Sequence, residues 1–261
     1  MRVAITGIGL CGPGLPGWEE SRQILAGAAA YEPAETIIPV PTLLPPTERR
    51  RTVGTVRLAL AVGSEALAGT DPAGIATVFA SSGGDGETVH SILQVLASSE
   101  RAISPTRFHN SVHNAPAGYW SIATGSRAPT TSLCAYDASF AMGLLEAAAQ
   151  LAHTQRPVAL IAYDLPYPAP LAAARPLGPA FGLALLLSPE IGGGIATLGL
   201  ELREGEKRAT VMADPALETL RESVPAARAL PLLAALAGGH ACEVILEGLS
   251  GNHLHLSLGF S

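Results

Sequence analysis

Apolar positions along this chain follow two rhythms that alternate from the N-terminus onward. Val3 to Ile8 is a short apolar run ending in glycines, the pattern of a buried strand, and Trp18 to Ala28 sets Trp18, Ile24 and Leu25 at helical spacing. From Tyr31 to Pro46 five prolines (Pro33, Pro39, Pro41, Pro45 and Pro46) fix φ and remove donors, which predicts an extended surface connection. Thr47 is a candidate N-cap, and Val53, Val56, Leu60, Ala61, Ser64 and Leu67 then recur on one helical face. Ile75 to Ala80 reads as a strand, Ser81 to Gly86 as a turn, and Glu87 to Ser98 as a helix. A helix over Ala117 to Thr124, a buried strand over Thr130 to Ala135 and a helix over Ser139 to His153 follow. Further strands are predicted at Val158 to Ala162, Phe181 to Leu187 and Ile195 to Leu202, with a turn at Gly205-Glu206-Lys207. Ala216 to Ala237 is an alanine- and leucine-rich helical region broken at Pro225 and Pro231. Glu243 to Leu246 and His253 to Leu258 form a hairpin around Gly251-Asn252. Strand-helix alternation of this kind predicts an α/β sandwich and excludes a purely antiparallel barrel.

Composition narrows the function classes. At 261 residues the chain can bury a sizeable core and is expected to be one domain. Apolar residues make up 48% and charged ones 15%, which predicts an apolar surface patch that needs a partner. The net charge is −6 with one lysine, Lys207, so no nucleic acid is expected as a ligand. The basic run Arg49-Arg50-Arg51 reads as a solvated helix start, touching at most an acidic carrier protein. Cys11, Cys134 and Cys242 are far apart and give neither a disulfide framework nor a zinc spacing, which fits a cytoplasmic location. The opening Met1 to Gly7 is too short for a signal peptide, and no run reaches membrane-spanning length.

Three motifs have simpler readings than their chemistry suggests. Gly7-Ile8-Gly9-Leu10-Cys11-Gly12 fits a dinucleotide fingerprint, but Pro13-Gly14-Leu15-Pro16-Gly17 delays the helix that would hold a pyrophosphate, so a tight turn ending the first strand is expected. His109 and His113 have metal-binding spacing without a third ligand nearby, and no metal or cofactor is expected. Ser81 to Gly86 lacks the lysine of a phosphate-binding loop.

A more specific pattern is the ordered block Phe108, Ser111, Asn114, Ala117-Gly118, Ser121-Ile122, Gly125, Pro129, Thr131 and Cys134, followed by a small-residue helix through Gly143. Together with the opening strand Arg2 to Gly9, the helix Trp18 to Gly27, and the strands Val158 to Ala162 and Phe181 to Ser188, it resembles a β-ketoacyl synthase. The resemblance covers about three quarters of the chain. It implies a thiolase-like layered α-β-α-β-α sandwich, with residues 1–202 as a complete first repeat and 203–261 as an abbreviated second. Within the family the chain is similar to short members grouped with chain length factors, found with aryl polyene and xanthomonadin-type pathways.

In a complete family member a cysteine at the strand-to-helix elbow accepts the acyl chain from acyl carrier protein, and two histidines assist decarboxylation. A helix N-terminus favours a thiolate, and backbone amides there can hold an oxyanion. Here the elbow reads Ser132-Leu133-Cys134-Ala135-Tyr136-Asp137. Counting back from Gly143 without a gap puts Ala135 on the nucleophile position; Cys134 takes it only with a one-residue insertion. Asp137 falls where the family has a small residue, and its charge opposes thiolate formation. His240 lacks the motif that should follow it, and His253 and His255 share one strand face.

The resemblance therefore implies a non-catalytic chain length factor that pairs with a full-length ketosynthase and shapes the acyl tunnel. Acyl carrier protein would be met directly or through the partner. The alternative is an active β-ketoacyl synthase using Cys134. Asn110, His113, Asn114, Tyr119, Trp120 and Phe140 are the candidates for the interface or tunnel wall.

Overall fold

The computed structural model describes residues 1–99, 101–205 and 208–260. The described residues form eight strands: β1 (Arg2–Cys11), β2 (Ala76–Ala80), β3 (Thr130–Leu133), β4 (Val158–Asp164), β5 (Phe181–Ser188), β6 (Ala196–Glu204), β7 (Cys242–Glu247) and β8 (Asn252–Gly259). The helices among them are α1 (Trp18–Leu25), α2 (Pro46–Arg49), α3 (Gly54–Ala66), α4 (Gly86–Ala97), α5 (Pro105–Asn110), α6 (Ala115–Thr124), α7 (Ser139–Thr154), α8 (Leu171–Ala174), α9 (Pro215–Ser223) and α10 (Leu230–Gly238). The strands join in the order β3-β2-β4-β5-β1-β6-β8-β7, with β2 parallel to β3 and β4 and every other neighbour antiparallel.

Two cores lie on the two faces of this sheet. Val56, Leu60 and Trp120 of α3 and α6 pack over Phe79, Ile161 and Ala184. On the other face Leu144 and Leu151 of α7 and Leu232 of α10 meet Val78, Leu160 and Leu185. That second core also takes in Leu198, Leu200, Val244, Leu246, Leu254 and Leu256 of β6, β7 and β8. The sheet thus folds around its central helices, giving the layered, thiolase-like α/β arrangement expected. On the outward face of β6-β8-β7, Glu201, Arg203, Glu243 and Ser257 are exposed, so that face is solvated rather than packed.

Several local expectations need correction. β1 does not end at its glycines: it runs on to Cys11, and Gly7 and Gly9 lie under α3, where a Cβ would collide with the carbonyl oxygens of Ala66 and Val62. The glycines serve close helix-on-strand packing. Thr47 sits inside the one-turn α2, which begins at Pro46, and α3 begins separately at Gly54. Pro231 does not break a helix but occupies the first turn of α10, where its missing donor costs nothing. β3 is not a buried strand; it ends the sheet, pairs only with β2 and is partly exposed along its length. The free side of β7, by contrast, is bonded by Thr210, whose N–H donates to the Ile245 carbonyl and whose hydroxyl accepts from the Ile245 N–H. The expected turn at Gly205 to Lys207 falls partly on Glu206 and Lys207, which lie outside the described residues. No helix among the described residues is long and apolar enough to cross a membrane.

Candidate functional site

β3 leads through Cys134 and Ala135 into a single 3-10 turn, Tyr136–Ala138, and then into α7. The strain of this elbow falls on Tyr136, whose φ of 52° is a left-handed conformation that a bulky side chain rarely adopts. The Tyr136 ring is exposed, and the guanidinium carbon of Arg175 lies 3.4 Å from its centroid, a cation-π contact. Arg175 donates to Asp137 Oδ1 at 2.9 Å, Arg228 donates to Asp137 Oδ2 at 3.3 Å, and Arg228 also pairs with Glu247. Burial works against the charge on Arg175, but the hydrogen bond and charge of Asp137 outweigh it and hold the guanidinium above its usual range. The Asp137 carboxylate, expected as a bare charge beside the thiol, is shared between two arginines.

The Ala135 N–H, an amide that an oxyanion would need, donates at 3.0 Å to Ser139 Oγ, and that hydroxyl donates at 2.7 Å to the Tyr136 carbonyl. Cys134 is exposed, while Ala135 is buried. The Cys134 thiol donates to the Ser82 carbonyl at 3.2 Å. His113 Nε2 lies 3.1 Å from the neighbouring carbonyl of Ser81; a carbonyl only accepts, so the proton sits on Nε2. Cys134 and His113 are therefore both tied to the end of β2.

Beneath them lies a carboxylate that the sequence reading passed over. Asp164 ends β4 and is almost fully buried. Its Oδ1 accepts from the Ser82 N–H at 2.9 Å, the Ser82 hydroxyl at 2.8 Å and the Ser81 hydroxyl at 3.3 Å, and its Oδ2 accepts from the Ala226 N–H at 2.9 Å. Burial pushes its pKa up to about 6 against the pull of these donors. One side chain thereby fastens the elbow's support to the central helical layer. The signal was a lone acid closing the apolar run Val158 to Tyr163.

The histidines of the C-terminal part are placed differently. His240 Nδ1 lies 2.7 Å from the Gly238 carbonyl, and His253 and His255 stand on β8 in register with Glu247 and Ile245. His109 lies in α5, which ends at Asn110 before reaching His113, so the pair does not share a helix face. Among the described residues no three His, Cys, Asp or Glu side chains converge as metal ligands.

Burial changes the list of contact candidates. Asn110, Tyr119, Trp120 and Phe140, expected at the interface or tunnel wall, are buried within the chain itself. Asn110 donates to the Arg51 carbonyl at 2.8 Å, and Trp120 packs edge-on against Phe79 at 6.5 Å between ring centroids. His113 is half-buried and Asn114 exposed. The apolar groups that do face outward nearby are Phe108, Val112 and Ile122, together with Val89, Leu93 and Leu96 of α4, a helix in which only Thr88 is buried.

A family model for the beta-ketoacyl synthase, N-terminal domain, matches residues 18–244. No curated protein matches the chain in sequence. Among solved structures, the chain is similar to a ketosynthase in complex with its chain length factor from Xenorhabdus doucetiae, at 24% identity over 98% of this chain and 99% of that one, with a TM-score of 0.76. It is similar to the ishigamide ketosynthase/chain length factor, at 16% identity over 99% of both chains and a TM-score of 0.73. It is also similar to a type II polyketide synthase acyl-carrier protein in complex with its ketosynthase bound to the hexaketide, at 11% identity over 100% and 99%, with a TM-score of 0.76.

Proposed function

Because the chain belongs to the β-ketoacyl synthase N-terminal domain family, we propose that it is a non-catalytic, chain-length-factor-like subunit that pairs with an active ketosynthase and shapes its acyl tunnel. The observation that carries this reading is the elbow. Where a condensing member presents a thiol on a free amide cradle, this chain has Ala135, its amide already bonded to Ser139, and beside it Tyr136 stacked under Arg175. Its Cys134 thiol points to a carbonyl oxygen rather than to a base.

The surface around the elbow supports the partner. Leu93, Phe108 and Ile122 are at least half exposed, and β3 ends the sheet with one side free to pair. A second β3-like strand laid against it would continue the sheet across two subunits and cover these side chains. The complexes of the similar proteins make a ketosynthase the fitting partner, with acyl carrier protein meeting the pair. On this reading residues 1–202 supply the first thiolase-like repeat and 203–261 the abbreviated second, working in the cytoplasm on polyene or fatty-acyl chains, aryl polyenes among them.

Co-expression with a full-length ketosynthase from the same source tests the proposal: a stable heterodimer and product of defined length are expected, with Cys134→Ala leaving both intact. The second reading, an active β-ketoacyl synthase, rests on the exposure of the Cys134 thiol. It gains if Cys134→Ala abolishes product while the heterodimer persists.

A further inference from the structure

Asp164 stands where the supports of the elbow meet. Its Oδ1 accepts from the Ser82 N–H and from the hydroxyls of Ser81 and Ser82, and the carbonyls of these two serines hold His113 Nε2 and the Cys134 thiol. Its Oδ2 accepts from one donor, the Ala226 N–H at 2.9 Å, at the head of the 3-10 turn Ala226–Ala229. That turn carries Arg228, which donates to Asp137 of the elbow and pairs with Glu247 of β7. A third route leaves through Tyr167, hydrogen-bonded to both Ser82 and Arg175, and Arg175 stacks on Tyr136. Residues 134 to 137 are thus held from two sides by groups that share one carboxylate.

The count of donors makes this junction sensitive to a proton. An ionised carboxylate only accepts, and the four groups bonded to this one are all donors. Three of them crowd Oδ1, so an added proton has room on Oδ2, where it meets the Ala226 N–H donor against donor. The serine hydroxyls can turn, but a backbone N–H cannot, so the Ala226 bond is the one that weakens. Relief of the buried charge keeps the fold intact as this bond is lost.

The titratable groups around Asp164 do not take over its role. Tyr163 precedes it on β4 and Tyr167 follows it in the next loop, and burial raises the pKa of both phenols, so both stay neutral. Asp85 at the start of α4 acts on Tyr163, Arg175 lies beyond Tyr167, and Arg228 is engaged by Asp137 and Glu247. His113 and Cys134 are bonded to the Ser81 and Ser82 carbonyls rather than to the carboxylate.

We propose that Asp164 is a proton-sensitive latch on the elbow: its carboxylate ties the turn Ala226–Ala229 to the end of β2, and protonation releases the Ala226 side and with it the Arg228 hold on Asp137. Asp164→Asn mimics the released state, because the amide oxygen can face the serines while its NH₂ meets the Ala226 N–H.

¹H–¹⁵N spectra of the full chain between about pH 4.5 and pH 7.5 test the latch without any partner, so the result stands apart from whether a heterodimer forms. The Ala226 and Ser82 amides are expected to move with one shared midpoint, and Asp164→Asn to fix the Ala226 amide at its low-pH position throughout. Ser82→Ala removes one donor that favours the ionised carboxylate and leaves Oδ2 untouched. It should raise the midpoint read at Ala226 by about half a pH unit or more, and it carries the test if Asp164→Asn does not fold. The elbow is read through Cys134 with 4,4′-dithiodipyridine, a disulfide reagent that reacts in acid, its adduct located by peptide mass. Cys134 of Asp164→Asn should react at least about threefold faster than that of the native chain near pH 7.5 and at an equal rate near pH 4.5, where both are released. A rate ratio constant across this range, an Ala226 amide that does not titrate, or a midpoint unmoved by Ser82→Ala would each overturn the proposal.

Discussion

Arg175, the residue that caps α8 at its C-terminal end, sets its guanidinium carbon 3.4 Å over the ring of Tyr136 and also bonds Asp137. The strained elbow residue is thus held from outside the elbow. Its unfavourable φ persists because stacking on one side and the Ser139 hydroxyl bridge on the other restrain it.

Replacing Arg175 with methionine should therefore lower stability by about 1–2 kcal/mol, since a partly exposed ion pair and a cation-π contact are lost together. Urea denaturation checks this. A midpoint unchanged from the native chain would mean that the stack does not restrain the elbow.

Asp164 predicts a pH dependence. Burial raises its carboxyl from an ordinary 3.8 to about 6, so between these values the folded chain holds a proton that the unfolded chain has released. The folded state binds more protons in that window, so this group's contribution is complete below about pH 4 and falls as pH rises to about 6, by an amount on the order of 3 kcal/mol. Asp164→Asn should remove that slope. Unfolding midpoints taken at steps between pH 4 and pH 7 for both chains give the comparison, and identical slopes would rule out the assignment.

Trp120 and Leu93 should separate folding from pairing. Trp120 is sealed between Gly63, Phe79 and Ile161's neighbourhood, so Trp120→Ala should cost about 3–5 kcal/mol of the chain's own stability. Thermal unfolding of the isolated chain reads that loss directly.

Leu93→Ser, on the exposed side of α4, should leave the melting temperature within about a degree or two and instead reduce recovery of the ketosynthase complex. Unimpaired recovery would remove α4 from the proposed interface.

Much of this architecture was legible in the apolar rhythm. Val3 to Ile8, Val53 to Leu67, Ser139 to His153 and Val158 to Ala162 each became the element their spacing predicted, because burial on one face or both imposes the period. Exposure was less legible. The apolar positions of α4 and the alternation of β3 look like those of core elements, and only the sheet order shows that β3 is an edge. Trp120 and Tyr119 illustrate the converse: large aromatics expected at the interface or tunnel wall face α3 and α5 within the chain, which a helical period alone does not reveal. The elbow's stabilising partners were hidden for another reason. Arg175 and Arg228 lie 38 and 91 residues from Asp137, and no local pattern marks a pair brought together only by the layering of the fold.

The most direct measurement is intact mass of both subunits after the purified heterodimer is incubated with acyl-loaded acyl carrier protein. The account predicts an acyl adduct on the partner ketosynthase and none on this chain, with the same result for Cys134→Ala. An acyl adduct on this chain that disappears in Cys134→Ala would contradict it and make the chain a condensing subunit.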